Sequence, residues 1–327
     1  MALHRRMSSR PLIVRLCNWI GDVVLGLPAL QRLQDAGYSL HLYGKGWAPT
    51  LLSGYDWPVT VRAQTLRQRV RQLKAISQQS AIEPGFDRRV FALAMPNSFS
   101  SALELRLAGF SVAGFATDGR SPMLGQRIAT IEGPHALESF WALAGGLIGG
   151  PGRLDQGPPA SIHMRIASAA RRRAQALVAE RGWTAARGGY VCIAPFAAGT
   201  VHKLDKRWPG FPELARRLCA SGQTVVVCPG PGELELAQSA YPQADVVENL
   251  PLDDYAALLQ GSRGVIANDT GPGHIAAATG APLISVLGPT KVEQWRPWGP
   301  DITLLSARPD WPTVDQVEAA ARSRFGL

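Results

Sequence analysis

Short apolar runs alternate with amphipathic stretches along the first half of the chain. The apolar runs predict buried strands, and the stretches between them carry apolar residues at helical spacing. The predicted strands are Leu12–Leu16, Tyr38–Tyr43, Arg89–Met95 and Ser111–Phe115, and the predicted helices are Val23–Gln34, Arg62–Lys74, Ser101–Leu107 and His135–Ile148. Strands that alternate with helices in this way are typical of an α/β unit with a parallel sheet.

The same alternation restarts after residues 149–159, a stretch dense in Gly and Pro that indicates a linker. The later predicted strands are Tyr190–Pro195, Thr224–Cys228, Gly264–Ala267 and Pro282–Leu287, and the later predicted helices are Ile166–Arg181, Phe211–Ser221, Leu252–Gly261, Gly273–Thr279 and Thr313–Phe325. We therefore predict two doubly wound, Rossmann-like domains facing across a cleft, over residues 1–155 and 156–327. The last helix, about 313–325, is a candidate for packing back on the N-terminal domain.

The composition predicts a soluble, basic protein. Hydrophobic residues make up 46% and charged residues 18%, an ordinary globular mixture, and the formal net charge is +9. That charge predicts an anionic partner, such as a phosphorylated saccharide, a membrane surface or nucleic acid. The four cysteines are widely spaced, which argues against a zinc knuckle or a disulfide framework. No apolar stretch reaches the roughly 18–20 residues of a membrane span. We expect a cytoplasmic protein, with peripheral contact at the inner membrane as an open alternative.

The most informative segment for chemistry covers residues 266–278, where a buried strand ends in Asn-Asp-Thr-Gly-Pro-Gly-His and a small-residue helix begins. Thr270 is placed to cap that helix, and the amides at Gly271 and Gly273 would present the positive end of its dipole. Such a terminus binds phosphate or pyrophosphate without a metal ion. An ordinary capped helix would show the same residues, and His274 would be either a phosphate donor or a packed side chain.

A second candidate segment covers residues 200–209, after the predicted strand Tyr190–Pro195. Lys203, Lys206 and Arg207 give it several donors for phosphate oxygens. A solvated basic loop is the alternative interpretation.

The first predicted strand is followed by Asn18-Trp19-Ile20-Gly21-Asp22. This turn holds one glycine, so it lacks the dinucleotide fingerprint, and a dehydrogenase is disfavoured. Asp22 would be either a helix cap or a carboxylate that projects from a strand end and acts as a general base.

A fourth segment is basic, with no acid in the run that holds Arg62, Arg67, Arg69, Arg71 and Lys74. A solvated helix face would explain it, and so would a surface for an anionic acceptor or an acidic lipid. Nucleic acid is disfavoured, because the run has no interleaved aromatic residues and no nucleic-acid-binding module is present.

In this order, the segments resemble glycosyltransferase family 9, the ADP-heptose heptosyltransferases of the lipopolysaccharide inner core. The best blocks are residues 12–33, 203–218 and 264–290, and NWIGDVVLGLPAL is most similar to the heptosyltransferase II-like members. The resemblance implies a GT-B fold with an acceptor-binding N-terminal domain and a nucleotide-sugar-binding C-terminal domain. It also implies that Asp22 is the catalytic base.

The resemblance assigns the donor site residue by residue. Lys206 falls on a lysine that contacts the donor phosphates, and Asp269 on an aspartate near the donor sugar. Thr270, Gly271 and His274 match residues around the pyrophosphate. On the same basis, Glu233 takes the place of a carboxylate that binds the ribose, and Leu250 lies beside the adenine.

The expected function is metal-independent, inverting transfer of heptose from ADP-heptose to a lipopolysaccharide core saccharide, without a cofactor. Arg62, Arg67, Arg69 and Arg71 would then contact an anionic saccharide or glycolipid acceptor. The alternatives are a family member with another nucleotide sugar or another acceptor, and a non-catalytic protein that binds a nucleoside diphosphate. Residues 60–130, where the resemblance is weakest, would decide the identity of the acceptor.

Overall fold

A computed structural model describes residues 10–88, 91–131, 133, 135–149, 157–197, 200–201, 204–288, 291–308 and 310–327. By their contacts, the residues form two compact units. Unit 1 comprises Met1–Pro49 and Asp56–Pro159, and unit 2 comprises Thr50–Tyr55 and Ala160–Leu327. The short segment Thr50–Tyr55 is held in unit 2 by two hydrogen bonds: Ser53 donates to Asp253 over 3.0 Å, and the Arg165 amide donates to the Tyr55 hydroxyl over 3.2 Å.

The first half of the chain forms a parallel six-stranded sheet in the order β3-β2-β1-β4-β5-β6. Its strands are β1 (Arg10–Arg15), β2 (Tyr38–Gly44), β3 (Val59–Val61), β4 (Ala92–Ala94), β5 (Val112–Phe115) and β6 (Leu124–Ile128). The helices of this half are α1 (Ile20–Asp35), α2 (Ala48–Leu51), α3 (Leu66–Ser80), α4 (Phe99–Leu107) and α5 (Ala136–Ile148), with a short 3₁₀ helix at Ser121–Met123.

Both faces of this sheet are covered by helices, which explains why its central strands are apolar on both sides. Ile13 belongs to a core with residues of α3 and α4. On the other face α1 packs against α5, and it also contacts the end of β4, where a Cβ at Gly26 would lie 2.5 Å from the Met95 methyl carbon. The strand order reverses between β1 and β4, which pair in register from Ile13 with Ala92. Ligands of open α/β sheets bind at such a reversal, outside the carboxyl ends of the strands.

Unit 2 repeats this architecture, with a second parallel sheet in the order β11-β10-β7-β12-β13-β14 and a separate hairpin, β8-β9. The strands are β7 (Val191–Ala194), β8 (Thr200–Val201), β9 (Leu204–Asp205), β10 (Val225–Val227), β11 (Asp245–Val246), β12 (Gly264–Asn268), β13 (Leu283–Leu287) and β14 (Ile302–Ser306). The helices are α6 (Ser168–Arg181), α7 (Phe211–Ala220), α8 (Leu234–Ala240), α9 (Leu252–Gly261), α10 (Gly271–Thr279), α11 (Val292–Trp295) and α12 (Val314–Phe325), with a 3₁₀ helix at Ala185–Arg187. Here the order reverses between β7 and β12.

The last helix, α12, packs on the core of unit 2. The buried side of α12 carries Val317, Ala321 and Phe325, which belong to the core of unit 2 together with residues of α7, β7 and β10. The Phe325 ring lies so close to β12 that a Cβ at Gly264 would be 2.1 Å from it. The apolar face of α12 is therefore used within unit 2, and the expectation that this helix also packs back on the N-terminal domain stays a prediction.

The predicted α/β class and the two doubly wound sheets are confirmed. Several element boundaries differ from their predictions by a few residues. The helix predicted at Arg62–Lys74 begins at Leu66, since Thr65 and Gln68 form a capping box there, and Arg62 precedes it. The strand predicted at Arg89–Met95 is found at Ala92–Ala94; Arg89 and Val90 lie outside the described residues, as do residues 150–156 of the predicted linker. In the described part of the chain, every helix is too short or too polar to span a bilayer.

Candidate functional site

Lys206 and Asp269 meet at the carboxyl edge of the unit 2 sheet. Asp269 directly follows β12, and Lys206 directly follows the β8-β9 hairpin that leaves the end of β7. The Lys206 Nζ and the Asp269 Oδ2 atoms are 2.8 Å apart. Because β7 and β12 are the neighbours between which the strand order reverses, this ion pair lies at the expected ligand position of the sheet. Lys203, the other lysine of the predicted loop, lies outside the described residues.

Asp269 is a buried carboxylate held in its ionised form. Its side chain is 6% exposed, and its Oδ1 lies 3.8 Å from the His274 Nε2. Burial by itself raises the pKa of Asp269, but the His274 imidazole and the Lys206 ammonium outweigh that effect and lower the pKa to about 2. Near neutral pH the site therefore carries a fixed negative charge next to a lysine.

Asn268, a residue that sequence reasoning did not single out, ties the loops of this site together. Its side chain is fully buried at the end of β12. Its Oδ1 accepts from the Trp208 amide over 3.0 Å, and its Nδ2 donates to the Pro195 carbonyl over 2.7 Å. The chain leaving β7, the chain after Lys206 and the end of β12 are thus joined by one amide. An Asn at a strand end before an Asp is the sequence signal for this role.

The first turn of α10 starts immediately after Asp269. Thr270 is the N-cap residue, but its side chain makes no capping hydrogen bond; its Oγ1 donates to the Asn268 carbonyl over 3.4 Å. The prediction that Thr270 caps this helix through its hydroxyl is therefore wrong. The backbone is also tight here, since a Cβ at Gly273 would lie 3.1 Å from the Asn268 carbonyl oxygen. Gly271 opens the helix, and His274 is buried in its first turn.

Glu233 and Leu250 lie on the same edge of the sheet, after β10 and β11 respectively. Glu233 is half-buried and its Oε2 accepts from the Gly230 amide over 2.7 Å, which closes the turn before α8. Leu250 is half-buried in the loop before α9, next to Asn249, whose backbone is left-handed with φ of 54°. The described contacts give Glu233 a local role in its turn, and a ligand role for either residue stays a prediction.

Asp22 lies in unit 1, at the carboxyl end of β1, where the strand order of that sheet reverses. The N-cap of α1 is Trp19, so Asp22 is in the first helical turn and is not the cap. Its side chain is half-buried. Burial and the charge of Asp22 raise the pKa of the nearby Cys17 thiol well above its usual value. Asp22 therefore lies at the strand-order reversal of its own sheet, and its role as a general base stays a prediction.

The basic segment of unit 1 contains no acid in its own sequence, but it has an acidic partner from another helix. Glu104, from α4, pairs with Arg62 over 2.9 Å and with Arg69 over 2.8 Å. The acid is 42 and 35 residues away in the chain, so no local pattern reveals it. Arg67 and Arg71 are exposed on α3. The idea of an uncompensated basic helix is corrected: two of the four predicted arginines are partly neutralised by Glu104.

Metal ligands were not expected from the sequence. Within the described ranges, no group of three or more His, Cys, Asp or Glu side chains is arranged to hold a metal ion.

Comparison with known proteins supports the interpretation of these segments. The model of glycosyltransferase family 9 (heptosyltransferase) matches residues 85–322, more than half of the chain, but not the segment with Asp22. A curated relative, lipopolysaccharide heptosyltransferase 3 of Escherichia coli, is 32% identical over 139 residues, which is 39% of this chain and 40% of that protein. The chain thus matches about two fifths of the length of that relative.

Solved structures extend the similarity to the whole fold. The structure of E. coli ADP-heptose lipopolysaccharide heptosyltransferase II superposes with a TM-score of 0.78 at 20% identity, covering 96% of this chain and 98% of that one. The E. coli heptosyltransferase WaaC with ADP-2-deoxy-2-fluoro heptose gives a TM-score of 0.66 at 23% identity, covering 97% and 98%. These two structures share the fold of this protein. The family model, which covers more than half of the chain, shows that the protein belongs to glycosyltransferase family 9, the heptosyltransferase family.

Proposed function

We propose that this protein transfers a heptose from ADP-heptose to a lipopolysaccharide core saccharide, with inversion at the anomeric carbon and without a metal ion. The observation that carries the proposal is the grouping of Lys206, Asp269 and the first turn of α10 at the strand-order reversal of unit 2. Residues 156–327 would bind the nucleotide sugar, and residues 1–155 the acceptor.

The donor side follows from charge. A diphosphate carries negative charge that must be matched by positive charge or by hydrogen-bond donors. Lys206 supplies an ammonium group, and the start of α10 supplies backbone amides and the positive end of the helix dipole. The Thr270 side chain makes no capping hydrogen bond to that helix, so the amides of its first turn suit a phosphate oxygen. The buried Nδ1 of His274, which has no hydrogen-bond partner among the described residues, would be a further donor or acceptor.

The other proposed contacts with the donor involve Glu233, Leu250 and Asp269. By the resemblance to family 9, Glu233 would bind the ribose hydroxyls and Leu250 would pack against the adenine. Both residues follow strands on the same edge of the sheet as Lys206, which is consistent with these roles. Asp269 would contact the heptose while its ion pair keeps the Lys206 ammonium in place. The fluoro-heptose complex of WaaC supports ADP-heptose as the donor class.

Asp22 would act as the general base of the transfer. It takes the proton of an acceptor hydroxyl while that oxygen forms a bond to the anomeric carbon of the donor. The bond from this carbon to the phosphate oxygen breaks, and ADP leaves with the electron pair. Charge therefore grows on the leaving diphosphate, and Lys206 and the α10 terminus stabilise it more in the transition state than in the ground state. The reaction requires that Asp22 of unit 1 reach the sugar held by unit 2.

The acceptor would be an anionic saccharide or glycolipid. Arg67 and Arg71 are exposed on α3, and Arg62 and Arg69 stay partly exposed although they pair with Glu104. An acceptor carried by a lipid would bring the protein to the cytoplasmic face of the inner membrane as a peripheral protein.

The test is to incubate the purified protein with ADP-heptose and truncated inner-core acceptors and to measure the mass of the acceptor. The proposal predicts acceptor that is heavier by one heptose, and ADP released in equal amount. Transfer from a different nucleotide sugar would replace the donor in the proposal. Binding of ADP without transfer to any saccharide would contradict catalysis and favour a nucleoside-diphosphate-binding protein.

A further inference from the structure

Unit 1 contains a buried carboxylate surrounded by three guanidinium groups. Glu104 is 0% exposed, and Arg15, the last residue of β1, is 2% exposed. The Arg15 Nε donates to the Glu104 Oε1 over 2.7 Å. The second oxygen of the carboxylate accepts from Arg62 over 2.9 Å and from Arg69 over 2.8 Å. We call this group of four residues the Glu104 cluster.

The Glu104 cluster joins four elements next to the strand-order reversal of the unit 1 sheet. Arg15 ends β1, Arg62 follows β3, Arg69 lies in α3 and Glu104 lies in α4, the helix that follows β4. The neighbouring strands β1 and β4 pair up to Arg15, which is opposite Ala94. The cluster therefore lies beside the turn that leads from β1 into α1.

Arg15 connects the Glu104 cluster to that turn. With its Nε on Glu104, its Nη1 donates to the Leu16 carbonyl, and its Nη2 donates to the Asn18 Oδ1 over 2.8 Å. A guanidinium group is planar, and its donors form a rigid fork. Once Glu104 fixes the plane through Nε, the positions of the other two nitrogens are fixed, and so is the Asn18 side chain.

Asn18 lies four residues before Asp22, on the turn between β1 and α1. The Trp19 side chain at the N-cap makes no capping hydrogen bond and is 61% exposed, so it does not anchor the turn by burial. The Trp19 carbonyl accepts from the Val23 amide over 3.2 Å, which links the turn to the first turn of the helix. A displacement of Asn18 would thus be passed on to the residues of the first helical turn.

A gain in folding stability does not by itself explain why the Glu104 cluster is present. A buried ion pair costs much of its Coulombic gain in desolvation, and apolar side chains of equal volume often stabilise a fold as well or better. Here one carboxylate faces three guanidinium groups, so the charges do not even balance. The cluster does fix the geometry of its side chains, because the N–H donors of a planar guanidinium group point in fixed directions. Residues that support a catalytic group in this way hold it within about 0.5 Å of its productive position.

We propose that Glu104 is a positioning residue for Asp22, acting through Arg15 and Asn18. This inference rests on the proposed function, in which Asp22 is the base. Glu104 orients the Arg15 guanidinium, Arg15 fixes Asn18, and the turn from Asn18 to Asp22 then presents the carboxylate to the acceptor hydroxyl. Glu104 itself does not contact the reacting atoms in this scheme.

The test uses Asn18, which is exposed and can be changed without opening the core. Asn18→Ala removes the oxygen that accepts from Arg15, and Asn18→Asp keeps one in nearly the same place. Gln31→Ala is the control, because Gln31 lies on α1, the helix that follows the turn, and its Nε2 donates to Asp35 over 2.9 Å, away from the turn. Four quantities are measured for each variant: kcat and KM with ADP-heptose and acceptor, the Kd for ADP, and amide hydrogen exchange over residues 18–24.

We expect Asn18→Ala to lower kcat about 10- to 100-fold, the effect of misplacing a catalytic group by roughly 1 Å. The Kd for ADP stays unchanged, and amide exchange over residues 18–24 becomes faster. Asn18→Asp recovers most of the kcat, and Gln31→Ala resembles the unchanged protein. Glu104→Gln, if it folds, shows the same fall in kcat as Asn18→Ala.

Unchanged kcat and unchanged amide exchange in Asn18→Ala would overturn the inference, as would an equal loss in Gln31→Ala. Asp22→Ala is measured in parallel to separate the two proposals. If Asp22→Ala loses activity while Asn18→Ala keeps it, only the positioning role fails. If Asp22→Ala transfers at full rate, the base in the proposed function fails, and the exchange data still decide whether the Glu104 cluster orders the turn.

Discussion

At the scale of single residues, the candidate site consists of charges whose partners come from distant parts of the chain. Lys206 pairs with Asp269, and Arg62 pairs with Glu104. The sequence identified Lys206 and Asp269, because each follows a predicted strand of a recognisable motif. It could not identify Glu104 as the partner of the basic segment, since pairing across 42 residues depends on how the strands are ordered. The hydroxyl of Thr270 was also assigned wrongly, because a cap residue can equally turn back to its own loop, as it does here.

Lys206→Ala should weaken ADP binding. The loss removes a charge-assisted contact to phosphate worth about 1.5–3 kcal/mol, or roughly 10- to 100-fold in Kd. Calorimetric titration with ADP measures it, and Lys291→Ala, at an exposed lysine of the same unit, is the control. An unchanged Kd for Lys206→Ala would remove this residue from the donor site.

Glu104→Ala should destabilise unit 1 by about 3–5 kcal/mol, because it leaves buried guanidinium groups without their carboxylate. Urea unfolding followed by hydrogen exchange in α4 measures this, with Glu83→Ala, at an exposed glutamate, as the control. A loss no larger than that of the control would show that the cluster contributes nothing to stability.

The stabilisation from Glu104 also depends on pH. Burial by itself raises the pKa of Glu104, but its hydrogen bonds and charge contacts with Arg62 and Arg15 outweigh this and lower it. A carboxyl whose pKa is lower in the folded state stabilises above its unfolded pKa, about 4.3, and loses this effect as the pH falls through the folded pKa. The difference in unfolding free energy between the unchanged protein and Glu104→Ala should be constant from pH 7 to about 5 and shrink in stronger acid. A difference that grows on acidification would contradict the pairing.

At the scale of elements, sequence patterns located the central strands and missed the edges. The central strands β1, β2, β4 and β5, and β7, β10, β12 and β13, were all predicted, while the four edge strands β3, β6, β11 and β14 were not. The reason is physical: a strand buried on both faces needs a continuous apolar run, whereas an edge strand is partly solvated and carries a mixed sequence. The strand β14 illustrates this, since none of its residues is fully buried.

A substitution in α12 tests whether this last helix belongs to the core of unit 2. Phe325→Ala should destabilise unit 2 by about 3–5 kcal/mol, because the ring is 6% exposed and packs against β12. Phe99→Ala removes a ring that is 46% exposed and serves as the control, with an expected change within about 0.5 kcal/mol. Unfolding of unit 2 can be followed by hydrogen exchange in β12. Equal effects of the two substitutions would mean that α12 does not contribute to this core.

At the scale of the whole molecule, each unit is a sheet in the same winding order, and each presents its candidate residues at its own strand-order reversal. In the proposal, unit 1 binds the acceptor and supplies the base, and unit 2 binds the nucleotide and its phosphates. The sequence predicts this division through its resemblance to family 9, which rests on the motifs that hold Asp22, Lys206 and Asp269. The identity of the acceptor was out of reach, since it depends on side chains brought together from α3, α4 and the ends of β1 and β3.

ADP should stabilise the protein through unit 2. If it binds only the folded state, a concentration 100 times its Kd adds about 2.7 kcal/mol to the unfolding free energy. Thermal denaturation at increasing ADP concentration measures this, and hydrogen exchange should show slower exchange in α10 than without ADP. Stabilisation that is equally large in Lys206→Ala would place the nucleotide elsewhere.

The central claim is that a carboxylate of unit 1 activates an acceptor for a donor held by unit 2. The most direct measurement is the kcat of Asp22→Asn with ADP-heptose and a core acceptor at saturation, together with its Kd for ADP. The account predicts that kcat falls about 10²- to 10⁴-fold, the usual range for loss of a general base, while the Kd does not change. Transfer at the full rate by Asp22→Asn would contradict it.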